Sequence, residues 1–261
     1  MPIPPWRVAG FDLTGRTALV TGGRREIGRA IALAFAAQGA RLAIHHAGTA
    51  EETRDAERVV AEIAAAEGEA RAFGADFAEE EAGPRLARDV VAALGPVDIL
   101  VLNASIELPE PFETIDRARF DRQIAVNLRA TLELLQALVP PMAERRWGRV
   151  LAIGSVQQVL PHPAMLVYAG TKAAQYNWVL NLAHQYGSRG VTVNNLAPGA
   201  IATARNREQL AREGAELVKR IPVGRLGTPD DLVGAALLLC SDAGRYITGA
   251  NLYVDGGRNI G

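Results

Sequence analysis

Three side chains in one stretch of this sequence can carry proton chemistry together. Ser155 closes an apolar run at 149–153, and Tyr168-Ala-Gly-Thr-Lys172 follows thirteen residues later. On a helix an i,i+4 pair lies on one face about one turn apart, so the phenol and the ammonium are neighbours. A nearby cation favours phenolate over phenol and draws the tyrosine pKa from its reference near 10 towards neutrality, where the group serves as acid and base. The serine hydroxyl can hold the oxygen of a carbonyl or alcohol beside that phenol. Taken alone, Tyr-x-x-x-Lys is also an ordinary solvent-facing helix pair; the serine upstream and a glycine turn near the N-terminus favour the chemical reading.

The elements that must position these residues follow from pattern. A buried strand at 16–21 runs straight into Gly22-Gly-Arg-Arg-Glu-Ile-Gly28, and a helix is predicted over 29–38, ending at Gly39. Strand, glycine turn and helix together make a phosphate cradle, in which glycines let the backbone approach and the helix N-terminus supplies N–H groups and positive dipole. Strands at 41–45, 71–77, 97–102, 149–153, 190–196 and 248–254 alternate with helices at 51–67, 85–94, 120–142 and from Tyr168 onward, with Pro140-Pro141 bending or breaking the third of these. A further helix opens at Thr228 as N-cap with Pro229 in its first turn. Such alternation implies an α/β chain: one Rossmann-like, doubly wound sheet of about seven parallel strands with helices on both faces, forming a single domain over 1–261. Residues 1–12 read as a proline-rich surface arm, and about 204–220 as a polar helical lid over the substrate.

Ser155, Tyr168-x-x-x-Lys172 and the turn after the first strand resemble the active site and cofactor turn of the short-chain dehydrogenase/reductase family, over about residues 13–257. The resemblance implies an NAD(P)-dependent oxidoreductase that interconverts a ketone and a secondary alcohol. Tyr168 would be the acid/base, Lys172 would tune it and bind the nicotinamide ribose, and Ser155 would position the carbonyl. Asn127, in Val-Asn-Leu, would hold a water linking the lysine to solvent; its bland alternative is a helix polar group satisfied by backbone. By the same resemblance Gly22, Ile27 and Gly28 border the pyrophosphate, and Asp76 and Phe77 the adenine, Asp76 being as readable as an N-cap. Asn103 and Ala104 border the ribose, and Pro198, Gly199, Ile201 and Thr203 the nicotinamide. No acid ends the second strand to take ribose hydroxyls, whereas Arg24 and Arg25 are suited to a 2′-phosphate, so NADP is expected over NAD. Gln157, with Gln158 and His162, is a substrate-contact candidate in the loop before Tyr168.

The chain departs from the family pattern at three places. Glu26 replaces the middle glycine of T-G-x-x-x-G-x-G, and Leu102 and Ser105 flank Asn103-Ala104 where N-N-A-G is usual. Glu26 is expected to rotate outward and pair with Arg24, Arg25 or Arg29. A crowded pyrophosphate site would instead make the chain a cofactor-impaired scaffold or ligand-binding protein, and a further alternative is an NAD-dependent sugar or polyol dehydrogenase.

Composition narrows the rest. A balance of 28 basic and 29 acidic residues gives a net charge of -1, without an electrostatic footprint for nucleic acid. No apolar run reaches the roughly 18 residues of a membrane span, and a cytoplasmic protein is expected. The single cysteine, Cys240, sits in an apolar run and reads as core packing. His45-His46 in a strand point to opposite faces, so no metal site is expected. Asp255-Gly256-Gly257 resembles the ending of tetrameric family members, and Tyr176 and Trp178 read as core or interface, so a homotetramer acting on a small carbonyl or alcohol is implied.

Overall fold

The computed structural model describes residues 9–260. Of the expected N-terminal arm, residues 1–8 therefore lie outside the described residues, and Ala9–Phe11 form a 3-10 turn. The apolar runs become strands: β1 (Thr17–Val20), β2 (Arg41–His46), β3 (Ala70–Gly74), β4 (Ile99–Leu102), β5 (Gly148–Ile153), β6 (Val191–Pro198) and β7 (Asn251–Val254). They form one sheet in the order β3-β2-β1-β4-β5-β6-β7, every pairing parallel. Every residue of β1, β4, β5 and β6 is buried. That is what unalternated apolar runs require when helices cover both faces.

Two apolar layers result. Helices α1 (Glu26–Ala37), α2 (Ala50–Ala65) and α8 (Val233–Cys240) close one face over Ile31, Phe35, Val59, Ile63 and Leu239. On the other face α3 (Ala82–Leu94), α5 (Ala130–Glu144) and α6 (Leu166–Tyr186) pack over Leu86, Val90, Leu134, Leu138 and Val179. Tyr176 and Trp178 lean on this second layer, and Cys240 is fully buried in the first, where burial pushes its thiol pKa up. Among the described residues no helix is long and apolar enough to cross a membrane. Strand order reverses direction between β1 and β4, and in open α/β sheets the crevice outside the strand ends at that point is where ligands bind.

Several element bounds differ from the pattern reading. Helix α1 begins at Glu26, inside the glycine turn, and β3 stops at Gly74, so Asp76 and Phe77 lie past its end. The predicted helix over 120–142 is α4 (Arg117–Ile124), a π-helical turn at Ala125–Arg129, and then α5, which passes through Pro140 and Pro141 to Glu144. The two prolines fall near the end of α5, where only two N–H donors are lost from the ladder. The segment expected to serve as a lid forms helix α7 (Arg207–Val218), entered through a capping box between Thr203 and Asn206.

Candidate active site

Strand β5 ends at Ile153, and Ser155 follows in extended backbone with its hydroxyl accepting the N–H of Gln157 at 3.1 Å. Tyr168 and Lys172 lie in the first two turns of α6, both buried, on the stripe that continues through Thr171, Gln175 and Val179. All three of Ser155, Tyr168 and Lys172 line one cavity of about 710 Å³ at the strand ends, together with Gly22 of the glycine turn. The expected catalytic group is thus brought together.

Lys172 is 1% exposed, and a buried ammonium without acceptors costs several kcal/mol. Here Nζ donates to the Ile153 carbonyl at 2.7 Å and to Gln175 Oε1 at 3.2 Å, and it stands 5.7 Å from the Tyr168 ring centre. Both of these hydrogen bonds place an oxygen acceptor on the ammonium. Gln175 then passes the connection on: its Nε2 donates to the Asn127 carbonyl at 2.6 Å and to Thr131 Oγ1 at 3.1 Å.

Asn127 sits in the π-helical turn, whose widened ladder frees its carbonyl for side chains. That carbonyl also accepts from Thr131 Oγ1 at 2.8 Å, so both lone pairs are used. The Asn127 amide is equally committed, taking the Ile106 N–H on Oδ1 and donating from Nδ2 to the Ile106 carbonyl and Thr171 Oγ1. The Gln175 amide thus joins Lys172 to the Asn127 carbonyl, the residue expected to support the lysine. Gln175 escaped the sequence reading, although its place three residues after Lys172 on the Tyr168 face was the available signal.

The glycine turn is assembled by β1, β2 and β4 ends. Thr21 Oγ1 donates to Val101 O and accepts the N–H groups of Asn103 and Ala104, while Asn103 Nδ2 donates to the carbonyls of Thr21 and Gly22. Asn103 thus spends its amide donors on holding the turn, with its neighbour Leu102 buried in the core. A Cβ at Gly28 would fall 2.3 Å from the Gly22 carbonyl, which explains that glycine. His45 braces the same turn from below: Nδ1 accepts the Gly22 N–H at 3.0 Å, Nε2 donates to Ala75 O at 2.9 Å, and its ring stacks on Phe77 at 4.2 Å. Burial lowers its pKa to about 4, against the hydrogen bond to Ala75; neighbouring His46 pushes the same way as burial.

Glu26 departs from its expected partner. It holds φ of +51°, in the left-handed region its missing glycine would occupy freely, and its Oε1 accepts the N–H of Ala204 at 2.9 Å. The side chain does rotate outward, but towards the lid entrance rather than an arginine. The arginines are taken elsewhere: Arg24 donates to Glu52 Oε1 at 2.7 Å and Asp55 Oδ2 at 2.8 Å, and Arg29 pairs with Glu62. Arg25 is exposed and borders the cavity.

A dinucleotide fits these residues. The first turn of α1 has no side-chain cap, leaving its N–H groups for an anion, and Glu52 Oε2 is buried without a partner on the same cavity wall. Ile27, Asp76 and Phe77 line the cavity at this end, and Asp76 Oδ1 takes the Ala78 N–H at 2.9 Å, the capping reading of that residue. Ala104, Pro198, Gly199, Ile201 and Thr203 line its other half, the Thr203 hydroxyl donating to Asn206 Oδ1 at 3.1 Å. Gln157 and His162 face the cavity too, Gln157 with Oε1 buried and unpartnered; Gln158 lies outside it, accepting from Asn195 Nδ2 at 3.2 Å.

Comparison with known proteins adds an independent line. A family model described as enoyl-(acyl carrier protein) reductase matches residues 22–259. The L-rhamnose 1-dehydrogenase (NAD(P)(+)) of Azotobacter vinelandii is 39% identical over 248 residues, 94% of this chain and 97% of that protein. Among solved structures, a 3-oxoacyl (acyl-carrier-protein) reductase from Agrobacterium tumefaciens with NADP bound superposes with a TM-score of 0.90 at 36% identity, covering 98% of this chain and 99% of the other. A gluconate 5-dehydrogenase from Burkholderia cenocepacia in complex with NADP and tartrate gives 0.89 at 32% identity, over 96% and 98% of the two chains.

Proposed function

Because the chain belongs to the short-chain dehydrogenase/reductase family and is an NAD(P)-dependent oxidoreductase acting between CH–OH and C=O, we propose that Tyr168 is its proton donor and acceptor, with Lys172, Ser155 and Asn127 as its support. The observation that carries this reading is the shared cavity: a buried phenol, a serine hydroxyl and a lysine locked by two acceptors, opposite an uncapped helix start. When bound, the nicotinamide cofactor supplies or accepts the hydride at the carbon.

The protein's own part is the proton and the orientation. Tyr168 gives its phenolic proton to the carbonyl oxygen in reduction, or takes the alcohol proton in oxidation. Ser155 holds that oxygen beside the phenol, its own lone pair steadied by the Gln157 N–H. Lys172 keeps a positive charge next to the phenolate left behind. Gln175 and Asn127 are positioning residues that aim the ammonium through the amide chain described above.

NADP is the preferred form in this reading, supported by Arg24 and Arg25 at the adenosine end and by the lack of an acid ending β2. The substrate is a small carbonyl compound or alcohol. A homotetramer is supported by Leu132 on α5 and Leu180 on α6, two large apolar side chains that remain exposed. A cytoplasmic setting follows from use of a diffusible intracellular cofactor.

Replacing Tyr168 by Phe tests the reading. Turnover should fall about 1,000-fold with NADPH affinity, followed by nicotinamide fluorescence, essentially unchanged. Turnover equal to the parent's would reject the assignment.

A further inference from the structure

Two guanidiniums in this cavity have no use in the chemistry above. Arg220 follows the C-terminal end of α7, and Arg258 follows β7 by four residues; both line the cavity that holds Ser155 and Tyr168. The fold brings them to one wall. Gly256 and Gly257 sit against Ile221 and Pro222 so closely that an added Cβ would meet them at 2.7 and 2.9 Å. β7 pairs with β6, whose end passes Gly199 beside Asp255, so this wall belongs to the β5–β7 half, away from the adenosine end at β1–β3.

Neither guanidinium donates a hydrogen bond or forms an ion pair among the described residues, whereas Arg24, Arg117, Arg129, Arg149 and Arg225 all do. Arg258 is half-buried, and burial together with the nearby charge of Arg220 lowers its pKa, against the opposing pull of Asp255. Asp255 does not quench the pair, because its Oδ1 takes the Gly257 N–H and its Oδ2 the Asn259 N–H. Of the carboxylates on the wall, Glu216 pairs with Lys219 and Glu213 has an interaction of its own. Two like charges at one cavity wall, Arg258 half-buried and Arg220 exposed at its rim, favour an anion between them; a guanidinium pair matches a carboxylate in both charge and shape.

We propose that Arg220 and Arg258 form a carboxylate subsite and that the substrate is a hydroxy or keto acid, held by its acid group while its reacting carbon faces Tyr168. The inference rests on the Tyr168 reading for the position of the chemistry, but it is tested by binding alone. Gln157 lines the same cavity, and its Oε1 is buried with no hydrogen-bond partner among the described residues.

The experiment is calorimetric titration of the Tyr168→Phe protein saturated with NADPH, using acid and alcohol pairs that differ only in the end group. D-Gluconate is set against D-glucitol, and L-lactate against propane-1,2-diol. At least one acid should bind about tenfold or more tighter than its alcohol. The double variant Arg220→Gln/Arg258→Gln should bring the two within about twofold while NADPH affinity stays put. Should the double variant fold poorly by circular dichroism, Arg258→Gln alone carries the same expectation in weaker form.

Equal binding of acid and alcohol, no binding of any acid, or a preference that survives the double variant overturns the proposal. Tighter binding of D-glucitol 6-phosphate than of gluconate overturns the carboxylate assignment, and loss of NADPH affinity in the variant gives the arginines to the cofactor instead. If Tyr168→Phe still turns over, it is the reading of the catalytic group that fails, and the titration remains readable.

Discussion

The two ends of the cavity treat positive charge in opposite ways. At the adenosine end Arg24 is 10% exposed and already holds two carboxylates, Glu52 and Asp55, the second shared with Arg58. At the substrate end Arg220 and Arg258 hold none. A cation neutralised in advance makes the incoming anion compete with internal partners, which lowers affinity but lets the site accept ligands without that anion. An unpaired cation pays its repulsion in the empty protein and recovers it only when the right ligand arrives. Under the two proposals above, the adenosine end favours NADP yet tolerates a cofactor without the phosphate, and the substrate end discriminates.

His45 gives the largest expected effect, because the tolerant end depends on a neutral ring. Its Nδ1 accepts from Gly22 and its Nε2 donates to Ala75, so a second proton would face the Gly22 N–H. With the folded pKa at about 4 and an ordinary value of 6.5 when unfolded, both states are neutral above pH 6.5. Between those values only the unfolded chain takes the proton, so stability falls as pH drops, by about 1.4 kcal/mol per unit and roughly 3 kcal/mol in all. Chemical denaturation at a series of pH values should show this slope, and His45→Gln should flatten it. An unchanged slope in the variant would move the acid sensitivity elsewhere.

Next is the arginine itself. Arg24→Ala should weaken NADPH by about tenfold to thirtyfold more than NADH, near 2 kcal/mol, since a charge-assisted bond to phosphate is lost and the two carboxylates are left uncompensated. Equal losses for both cofactors would mean that Arg24 serves the turn and not the phosphate. Glu52→Gln sharpens the same contrast from the other side. It weakens one of the two pairings that hold Arg24 and removes a buried, unpartnered carboxylate oxygen from this end of the cavity, so the NADPH-to-NADH affinity ratio should rise by about tenfold. Should the ratio stay level, the pairing seen here does not compete with the cofactor.

The chemistry and the fold were legible where they follow a period or a strand end. Tyr168 and Lys172 share a helical face, Ser155 follows a buried strand, and the glycine turn sits between β1 and α1, so local spacing together with the family resemblance marked them. The neutralisation of Arg24 was not legible, because Glu52 and Asp55 lie 28 and 31 residues away on a helix, where charged residues ordinarily form a solvated face. Gln175 looked like one more polar residue of a long helix until α6 packed it against the π-helical turn at Asn127. Arg220 and Arg258 come together only when the chain beyond β7 folds against the segment after α7. Pattern fixes which elements exist; charge pairing between them is decided by which strand ends become neighbours.

Glu26 is where the two ends communicate, and it carries the smallest expected effect. Its positive φ costs of order 1 kcal/mol relative to glycine, and its hydrogen bond to the Ala204 N–H returns part of that by tying the glycine turn to the entrance of α7. Glu26→Gly should therefore leave global stability within about 1 kcal/mol, since strain and tie are removed together. The lid loses its anchor in that variant, so tryptic cleavage at Arg207 or Arg212 should run several-fold faster in the absence of cofactor. NADPH affinity separates this from crowding of the pyrophosphate: a carboxylate turned towards Ala204 leaves the helix start open, and affinity should change by less than about threefold. A gain of tenfold or more would show that Glu26 swings back over the phosphate site, and the tolerance of this end would then come from repulsion rather than from the pairing of Arg24.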